Sequence, residues 1–344
     1  MRRPFRFSLG SVLLAAMLAG CSDELPQSSL NPAGPVAQDQ KDLLILVIAI
    51  AAVVFVLAEG ALLWFLFRYR RREGNEPEQI HGNSKLEIAW TIAPALVLAV
   101  IAVPTVSMIY DLDKPPTGKF IEVDAIGHQW WWEFRYPELG ITTANVMVIP
   151  EDVDIAVRLC AAGDTNSGTP VGQPCTEPAP AIGDAVIHSF WVPRLAGKQD
   201  LIPGQPNNLR LLAAEPGTYP GQCAEYCGLS HAYMRFEVEA VTEADFQAWV
   251  TEQKAPATSA PPESFAQCAG CHAVAPDAVG IGGPDLTHLQ SRSCFAGCWL
   301  DMNPENLAKW LRDPQSAKPG SFMPNLNLSD AEVDELVAYL ETLE

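Results

Sequence analysis

The chain has 344 residues, too many for one small domain, and its formal net charge of −19 excludes a protein that binds nucleic acid through a basic surface. Hydrophobic residues make up 48% of the chain and concentrate in its first third, whereas the remainder is acidic and rich in Pro and Gly. We therefore expect a membrane part followed by two or more soluble modules, whose acidic side chains maintain solubility and can attract a basic partner.

The N-terminus has the pattern of an export signal. Residues 1–20 combine three arginines with an apolar run that is too short to span a bilayer, and Cys21 follows directly. This pattern predicts a lipoprotein signal peptide that is cleaved before a lipidated Cys21. An uncleaved signal anchor is the alternative. Residues 21–42 are polar and are interpreted as a tether.

Two later segments are long and apolar enough to cross a bilayer, namely residues 43–69 and residues 86–110. A cluster of arginines lies between them, so the positive-inside rule makes that connection cytoplasmic. The mature N-terminus and everything after the second segment then lie outside the cytoplasm. Glu59 is costly inside the first segment and is expected to face a protein partner.

The soluble part contains two modules with different patterns. Residues 117–250 hold short β-rich runs punctuated by Pro and Gly, which predict an antiparallel β-sandwich or barrel. Residues 251–262 are rich in Ala and Pro and form a predicted linker. Residues 263–344 have a helical pattern, with Ser329 as the predicted cap of the last helix.

A haem attachment motif lies near the start of the helical module. Cys268, Cys271 and His272 form C-x-x-C-H, in which two thiols make thioethers to the porphyrin and the imidazole binds iron. For the two cysteines alone, a redox dithiol or half of a zinc site are the alternatives.

Two further segments, Gly283-Pro284-Asp285-Leu286 and Met323-Pro324-Asn325-Leu326, follow that motif. With them, residues 263–344 resemble the class I cytochromes c, which are all-α proteins. The resemblance implies covalent haem c with Met323 as the second axial ligand, because a thioether opposite imidazole stabilises ferrous iron. Met302 is the competing ligand.

A second motif suits copper. Cys223, Cys227, His231 and Met234 form C-x3-C-x3-H-x2-M, and soft thiolates with imidazole and thioether favour copper over zinc, magnesium or calcium. A single-copper site needs one cysteine, so the second indicates two coppers bridged by two thiolates. His188 supplies the second imidazole that such a site requires. The alternatives are a disulfide between the cysteines and a core histidine.

This region closely resembles subunit II of cytochrome c oxidase, here of the caa3 type because a cytochrome c domain is fused to its C-terminus. The resemblance implies a cupredoxin fold with a dinuclear copper centre. In the family, the backbone carbonyl of the residue matched by Glu225 also binds copper, and its carboxylate binds magnesium shared with the catalytic subunit. The side-chain copper ligands that the resemblance implies are His188, Cys223, Cys227, His231 and Met234.

Two further positions match the family. Within Gly127-His128-Gln129-Trp130-Trp131-Trp132, the resemblance makes Trp130 the electron entry residue, whereas Trp131 and Trp132 are interpreted as core or interface side chains. It also places Glu87 at the cytoplasmic mouth of a proton pathway. An ordinary interfacial carboxylate is the alternative for Glu87.

Four cysteines remain. Cys160 and Cys175 lie in a loop that is longer than the family needs, and a disulfide can close it. Cys294 and Cys298 can also pair, although their spacing on a regular helix would strain the bond. A second metal site there would need more ligands.

Together these observations predict the electron-entry subunit of a bacterial respiratory oxidase, anchored in the cytoplasmic membrane with its metal domains on the outer side. It is enzymatic only with a polytopic subunit I that holds the oxygen-reducing site, together with subunit III and an external electron donor. The alternatives are the corresponding subunit of a nitric oxide reductase, a free-standing membrane electron carrier, or a copper-handling lipoprotein.

Overall fold

The computed structural model describes residues 25–70, 81–163, 185–205, 207–274 and 282–344. Residues 38–115 form one compact unit, and the described residues outside this range form a second one. The predicted signal peptide and Cys21 lie outside the described residues, as do Cys175 and the arginines that follow Arg70.

The first unit is helical. Helix α1 spans Pro35–Arg68 and helix α2 spans Ser84–Leu112, and both are long and apolar enough to cross a membrane. Helix α1 begins well before the predicted residue 43, because Pro35 is suited to a first helical position and the polar residues after it continue the helix. Asn83 caps α2, and its side chain accepts hydrogen bonds from the backbone amides of Lys85 and Leu86.

The second unit contains a β-sandwich of two five-stranded sheets. The first sheet has the order β3-β2-β1-β5-β8, with strands β1 (Phe120–His128), β2 (Trp131–Tyr136), β3 (Ile141–Ala144), β5 (Asp154–Ala161) and β8 (Asn207–Leu211). The second has the order β4-β10-β9-β6-β7, with strands β4 (Val146–Pro150), β6 (His188–Trp191), β7 (Gln199–Leu201), β9 (Gly217–Cys223) and β10 (Arg235–Val241).

Aromatic side chains fill the space between the sheets. Phe190 and Phe236 have ring centroids 4.6 Å apart, and Trp132 lies 5.1 Å from Phe236. All three side chains are fully buried, and such rings contribute the largest apolar areas of a core. The prediction that Trp132 is a core residue agrees with this position.

The expectation of a purely antiparallel sandwich is wrong for two strand pairs. Strands β1 and β5 are parallel, as are β4 and β10. Parallel partners cannot be joined by a tight hairpin, and each of these pairs is separated by several other strands in the chain. Local alternation predicts the strands but carries no information about the direction of partners far away in sequence.

Part of the predicted polar tether belongs to the sandwich. The Ala33 amide donates to the carbonyl of Arg194 at 2.7 Å, and the Ala214 amide donates to the carbonyl of Ala33 at 2.8 Å. Val36 and Ala37 are buried. The residues just before α1 are therefore ordered by backbone pairing, which a polar composition does not reveal.

Helix α3 (Glu243–Gln253) follows the sandwich and extends into the first three residues assigned to the linker, because Thr242 caps it and no helix breaker intervenes. The C-terminal domain is then helical around one apolar core. It also contains a small hairpin that the sequence pattern did not predict. Its elements are β11 (Cys294–Phe295), β12 (Leu300–Asp301), α4 (Pro304–Arg312), α5 (Pro314–Ala317) and α6 (Asp330–Leu340).

The last helix starts at the predicted cap. The Ser329 hydroxyl accepts a hydrogen bond from the Glu332 amide, and the Glu332 carboxylate accepts one from the Ser329 amide. This reciprocal capping box satisfies two amide donors that the first helical turn would otherwise leave free.

Candidate copper and haem sites

The sandwich brings the predicted copper ligands to one end of its second sheet. Strand β6 begins at His188, strand β9 ends at Cys223, and the two strands pair with Phe190 opposite Cys223. The loop after β9 carries Cys227 and His231 and returns at Met234, whose carbonyl accepts a hydrogen bond from the Cys223 amide at 2.9 Å. Strand pairing therefore brings His188 beside ligands that are distant in sequence.

The donor atoms form one cluster. The sulfurs of Cys223 and Cys227 lie 3.8 Å apart, and the Sγ of Cys223 lies 3.9 Å from the Nδ1 of His188. The Sγ of Cys227 lies 3.6 Å from the Nδ1 of His231 and 3.8 Å from the Sδ of Met234. Ligand atoms of His188 and the two cysteines all lie within 4.8 Å of one another.

This arrangement fits copper. A metal–sulfur bond is about 2.3 Å long, so an ion between two sulfurs 3.8 Å apart can bind both of them. Both cysteines are free thiols in the structure, so the disulfide alternative does not describe it. The hydrogen bond from Cys227 lowers the pKa of Cys223 below that of an ordinary thiol, and the same pairing raises the pKa of Cys227. The two sulfurs thus share one proton. A metal ion that replaced this proton would allow both cysteines to be thiolates.

The backbone carbonyl and the side chain of Glu225 have different surroundings. Its backbone carbonyl lies 3.2 Å from the Sγ of Cys223 and therefore faces the cluster. Its carboxylate lies at the exposed surface, where it accepts a hydrogen bond from the Tyr226 amide at 3.2 Å.

Trp130 contacts the copper loop directly. Its indole Nε1 donates to the carbonyl of Cys227 at 3.0 Å, and the side chain of Gln129 donates to the same carbonyl at 2.8 Å. Gly228 permits this approach, because a Cβ there would lie 3.0 Å from the indole ring and the backbone φ is +118°.

The C-terminal domain orients His272 as an iron ligand. The Nδ1 of His272 lies 2.8 Å from the carbonyl of Pro284, which favours a proton on that nitrogen and leaves Nε2 available to a metal. Gly283 allows the ring to occupy this place, since a Cβ at that position would lie 2.5 Å from it. Burial lowers the pKa of His272, so its neutral, ligating form is favoured.

A largely apolar cavity, lined mainly by this domain and on one side by sandwich residues that include Trp130, fits a haem. Cys268, Cys271, His272 and Met323 all line it, whereas Met302 does not. Arg292 also lines the cavity, and its buried Nε has no hydrogen-bond partner, as expected of a cation that meets an acidic group of the haem.

The indole of Trp310 contacts the proposed axial thioether. Its Nε1 lies 2.9 Å from the Sδ of Met323. This contact holds the Met323 side chain towards the cavity that both residues line.

The remaining predicted positions differ in their surroundings. Glu87 lies in the first turn of α2, and its carboxylate accepts a hydrogen bond from the backbone amide of the cap residue Asn83 at 3.3 Å. Glu87 therefore helps to cap this helix. Cys294 and Cys298 form a disulfide at the β11–β12 hairpin rather than on a helix. Cys160 is disulfide-bonded, while Cys175 lies outside the described residues.

Three residues at these sites were not identified from the sequence. Phe322 stacks on Trp130, Lys318 reaches the backbone of Trp130, and Arg292 faces the haem cavity. Only Phe322 carried a local signal, because it precedes Met323.

A copper-type ligand cluster on a cupredoxin-like sandwich, a c-type haem motif and two membrane-type helices together define a membrane-bound electron-transfer protein. The comparisons with known proteins agree. Residues 27–108 match the transmembrane domain of cytochrome c oxidase subunit II, residues 121–241 match its periplasmic domain, and residues 262–344 match cytochrome c.

Curated relatives extend this match to nearly the whole chain. Cytochrome c oxidase subunit 2 of Alkalihalophilus pseudofirmus is 36% identical, with 96% of this chain and 94% of the relative covered. The Bacillus subtilis protein of the same name is 32% identical, with 100% and 99% covered. The solved periplasmic domain of subunit II of cytochrome oxidase from Bradyrhizobium japonicum is 28% identical, covering 40% of this chain and 97% of that one, with a TM-score of 0.33.

The chain belongs to the cytochrome c oxidase subunit II family and carries a C-terminal cytochrome c domain. This confirms the resemblance and the fold class predicted from the sequence. The protein is a membrane protein with a periplasmic domain, and as a subunit II it associates with subunit I in an oxidoreductase complex.

Proposed function

We propose that this chain passes electrons from an external donor, through haem c and then a dinuclear copper centre, to the oxygen-reducing site of subunit I. The supporting observation is a continuous line of contacts between the two sites. Phe322 precedes Met323 and stacks on Trp130, and Trp130 hydrogen-bonds the backbone of the copper ligand Cys227.

The copper ligands form a rigid, buried pocket. His188 and Cys223 lie on the paired strands β6 and β9, Cys227 lies in the loop that follows β9, and Met234, just before β10, is fully buried. When bound, two copper ions would supply a one-electron redox centre. The sulfurs of Cys223, Cys227 and Met234 and the imidazoles of His188 and His231 would hold these ions, together with the carbonyl of Glu225.

The haem ligands are positioned by backbone contacts. Cys268 and Cys271 would hold the porphyrin covalently, and His272 is oriented by the carbonyl of Pro284. When bound, haem c would supply a one-electron centre whose potential depends on its axial ligands. Met323 would supply the second ligand, and Arg292 would neutralise an acidic group of the haem.

The rest of the assignment concerns partners and placement. The exposed carboxylate of Glu225 binds magnesium at the border with subunit I, because carboxylate oxygens suit this ion. Glu87 lies at the mouth of a proton pathway. The chain lies in the bacterial cytoplasmic membrane with both metal domains on the outer side, and subunit III completes the complex.

The test is electron transfer in the purified native complex. Reduction of copper by an external donor is compared between the wild type and a complex that lacks residues 263–344. We expect copper reduction to slow strongly, while copper-to-partner transfer started by a flash stays unchanged. Copper reduction at the normal rate in the truncated complex would refute the order.

A second measurement distinguishes the alternative functions. Subunit, metal and haem analysis of the same preparation, with oxygen or nitric oxide as acceptor, separates the oxidase from the reductase and from a free-standing carrier.

A further inference from the structure

The C-terminal domain contacts the β-sandwich through the tip of the β11–β12 hairpin, which takes no part in either predicted ligand set. The disulfide between Cys294 and Cys298 closes this hairpin. Ala296, Gly297 and Cys298 have φ angles of +53°, +74° and +46°. Three consecutive residues in the left-handed region give the tip a tight shape that a free chain would rarely adopt.

The tip fits against the backbone of the sandwich without room for a side chain. The Arg235 amide donates to the carbonyl of Gly297 at 2.8 Å. A Cβ on Gly297 would lie 2.6 Å from the carbonyl oxygen of Tyr233 and 2.8 Å from that of Trp130. The Sγ of Cys298 lies 3.4 Å from the carbonyl of Asn145. Only glycine can occupy the tip in this docked position.

Lys318 joins the same contact from the end of α5. Its buried Nζ donates to the carbonyl of Trp130 in the sandwich and, at 2.8 Å, to the carbonyl of Ala296 in the hairpin. The neighbouring Pro319 carbonyl accepts a hydrogen bond from the Ser230 hydroxyl. A buried amino group that donates to one carbonyl of each domain requires both domains to be in place.

Side chains around the hairpin extend the contact. Trp299 lies 4.4 Å from the ring of Tyr233 and under the guanidinium of Arg235, at 5.1 Å. Ser293 donates from its hydroxyl to the carboxylate of Glu237 at 2.5 Å. Tyr233 lies within the loop that carries the copper ligands, and Arg235 and Glu237 lie on β10, which follows that loop, so the surface is adjacent to the copper site.

We propose that the disulfide-closed hairpin and Lys318 are a docking device that fastens the haem domain onto the copper domain and holds Phe322 against Trp130. Lys318 and Gly297 are positioning residues in this role. The inference rests on the proposed electron route, since the docked position matters only if electrons pass from haem to copper. It has one further consequence: Trp130 is only 7% exposed, so an external donor docks on the haem domain and not on Trp130.

The experiment compares alanine substitutions at two glycines that both have a positive φ, in the full, metal-loaded complex. Gly297→Ala introduces both φ strain and the collision, whereas Gly140→Ala introduces the same strain, at φ +66°, with nothing within 4 Å. We expect Gly297→Ala to increase hydrogen exchange at the Arg235 amide and to slow haem-to-copper transfer by about tenfold, as overpacking of this size disfavours the docked state. Gly140→Ala should leave both unchanged. Copper resonance and haem spectra check that each variant is folded and loaded.

Lys318→Met tests the device independently, with the exposed Lys309→Met as its control. We expect faster exchange at Arg235 and slower transfer for Lys318→Met alone. Unchanged exchange and transfer in both Gly297→Ala and Lys318→Met would overturn the docking role, and faster exchange with unchanged transfer would overturn the positioning of Phe322. Failure of the proposed route is distinguishable, because haem-to-copper transfer would then be absent in the wild type as well.

Discussion

The rings of Trp130 and Phe322 stack with their centroids 5.6 Å apart and their planes 11° from parallel. Trp130 belongs to the loop between β1 and β2 of the copper domain, and Phe322 immediately precedes the proposed haem ligand Met323. The two sites are therefore connected through two side chains. Because the Trp130 indole also hydrogen-bonds the carbonyl of Cys227, the contact reaches the copper loop itself.

Replacement of Phe322 tests this connection. We expect Phe322→Leu to slow haem-to-copper electron transfer several-fold, because it removes the ring that stacks on Trp130 while keeping an apolar side chain. Phe322→Tyr preserves the ring and serves as the control. Flash-induced transfer in the purified complex gives the rate, and equal rates for both variants would exclude the stack from the route.

Replacement of Cys227 tests the copper assignment. Cys227→Ser removes one of the two bridging thiolates, so we expect the mixed-valence copper signal in electron paramagnetic resonance to disappear. The bound metal also stabilises the folded state, by about 2.7 kcal/mol when free metal is one hundred times its dissociation constant, so the melting temperature should fall. An electron still shared equally between two coppers in this variant would contradict the ligand set.

The two candidate thioether ligands of the haem can be distinguished by matched substitutions. Met323 lines the haem cavity, while the sulfur of Met302 lies 3.8 Å from the side-chain amide of Gln290. Met323→Leu should lower the haem potential by on the order of 0.1 V, within the roughly 0.8 V range that axial ligands control. Met302→Leu should leave it unchanged. Redox titration followed by haem absorbance measures both, and the reverse result would make Met302 the ligand.

Glu87 requires a substitution that preserves its capping bond. Glu87→Gln keeps an oxygen that can accept from the Asn83 amide but removes the ionisable group. We expect oxygen turnover to slow while copper reduction stays fast, as a proton pathway on the cytoplasmic side demands. Oxygen uptake and stopped-flow copper reduction on the same sample measure the two rates. Unchanged turnover when protons are limiting would leave Glu87 as a helix cap.

The copper domain should lose stability below neutral pH through His128. Burial lowers the pKa of His128 below 6.5, although the hydrogen bond to Glu133 partly opposes this effect. As pH falls through 6.5, the unfolded chain takes up a proton that the folded domain does not. The free energy of unfolding then decreases by about 1.4 kcal/mol for each pH unit until the pKa of the folded state is reached. His128→Gln should flatten the dependence of the melting temperature on pH between about 7 and 5. An equally steep dependence would assign it to other groups.

Local sequence determined the ligand types and most of the elements. Cys268, Cys271 and His272 lie within five consecutive residues, so they are close in space whatever the rest of the fold is. Their spacing alone therefore brings the three groups to one haem edge. The tight loop from Cys223 to Met234 works in the same way. Membrane-type helices are equally readable, because one continuous apolar segment of sufficient length is all that they need.

Contacts between residues that are far apart in sequence were decided by the tertiary structure alone. The parallel pairing of β1 with β5, the packing of Ala33 on the sandwich and the contact of Lys318 with Trp130 join residues far apart in sequence. A buried lysine beside a backbone carbonyl has no local signature, since the same residue is usually exposed. The sequence therefore specified which groups can carry an electron, and the docking of the two domains decided where those groups meet.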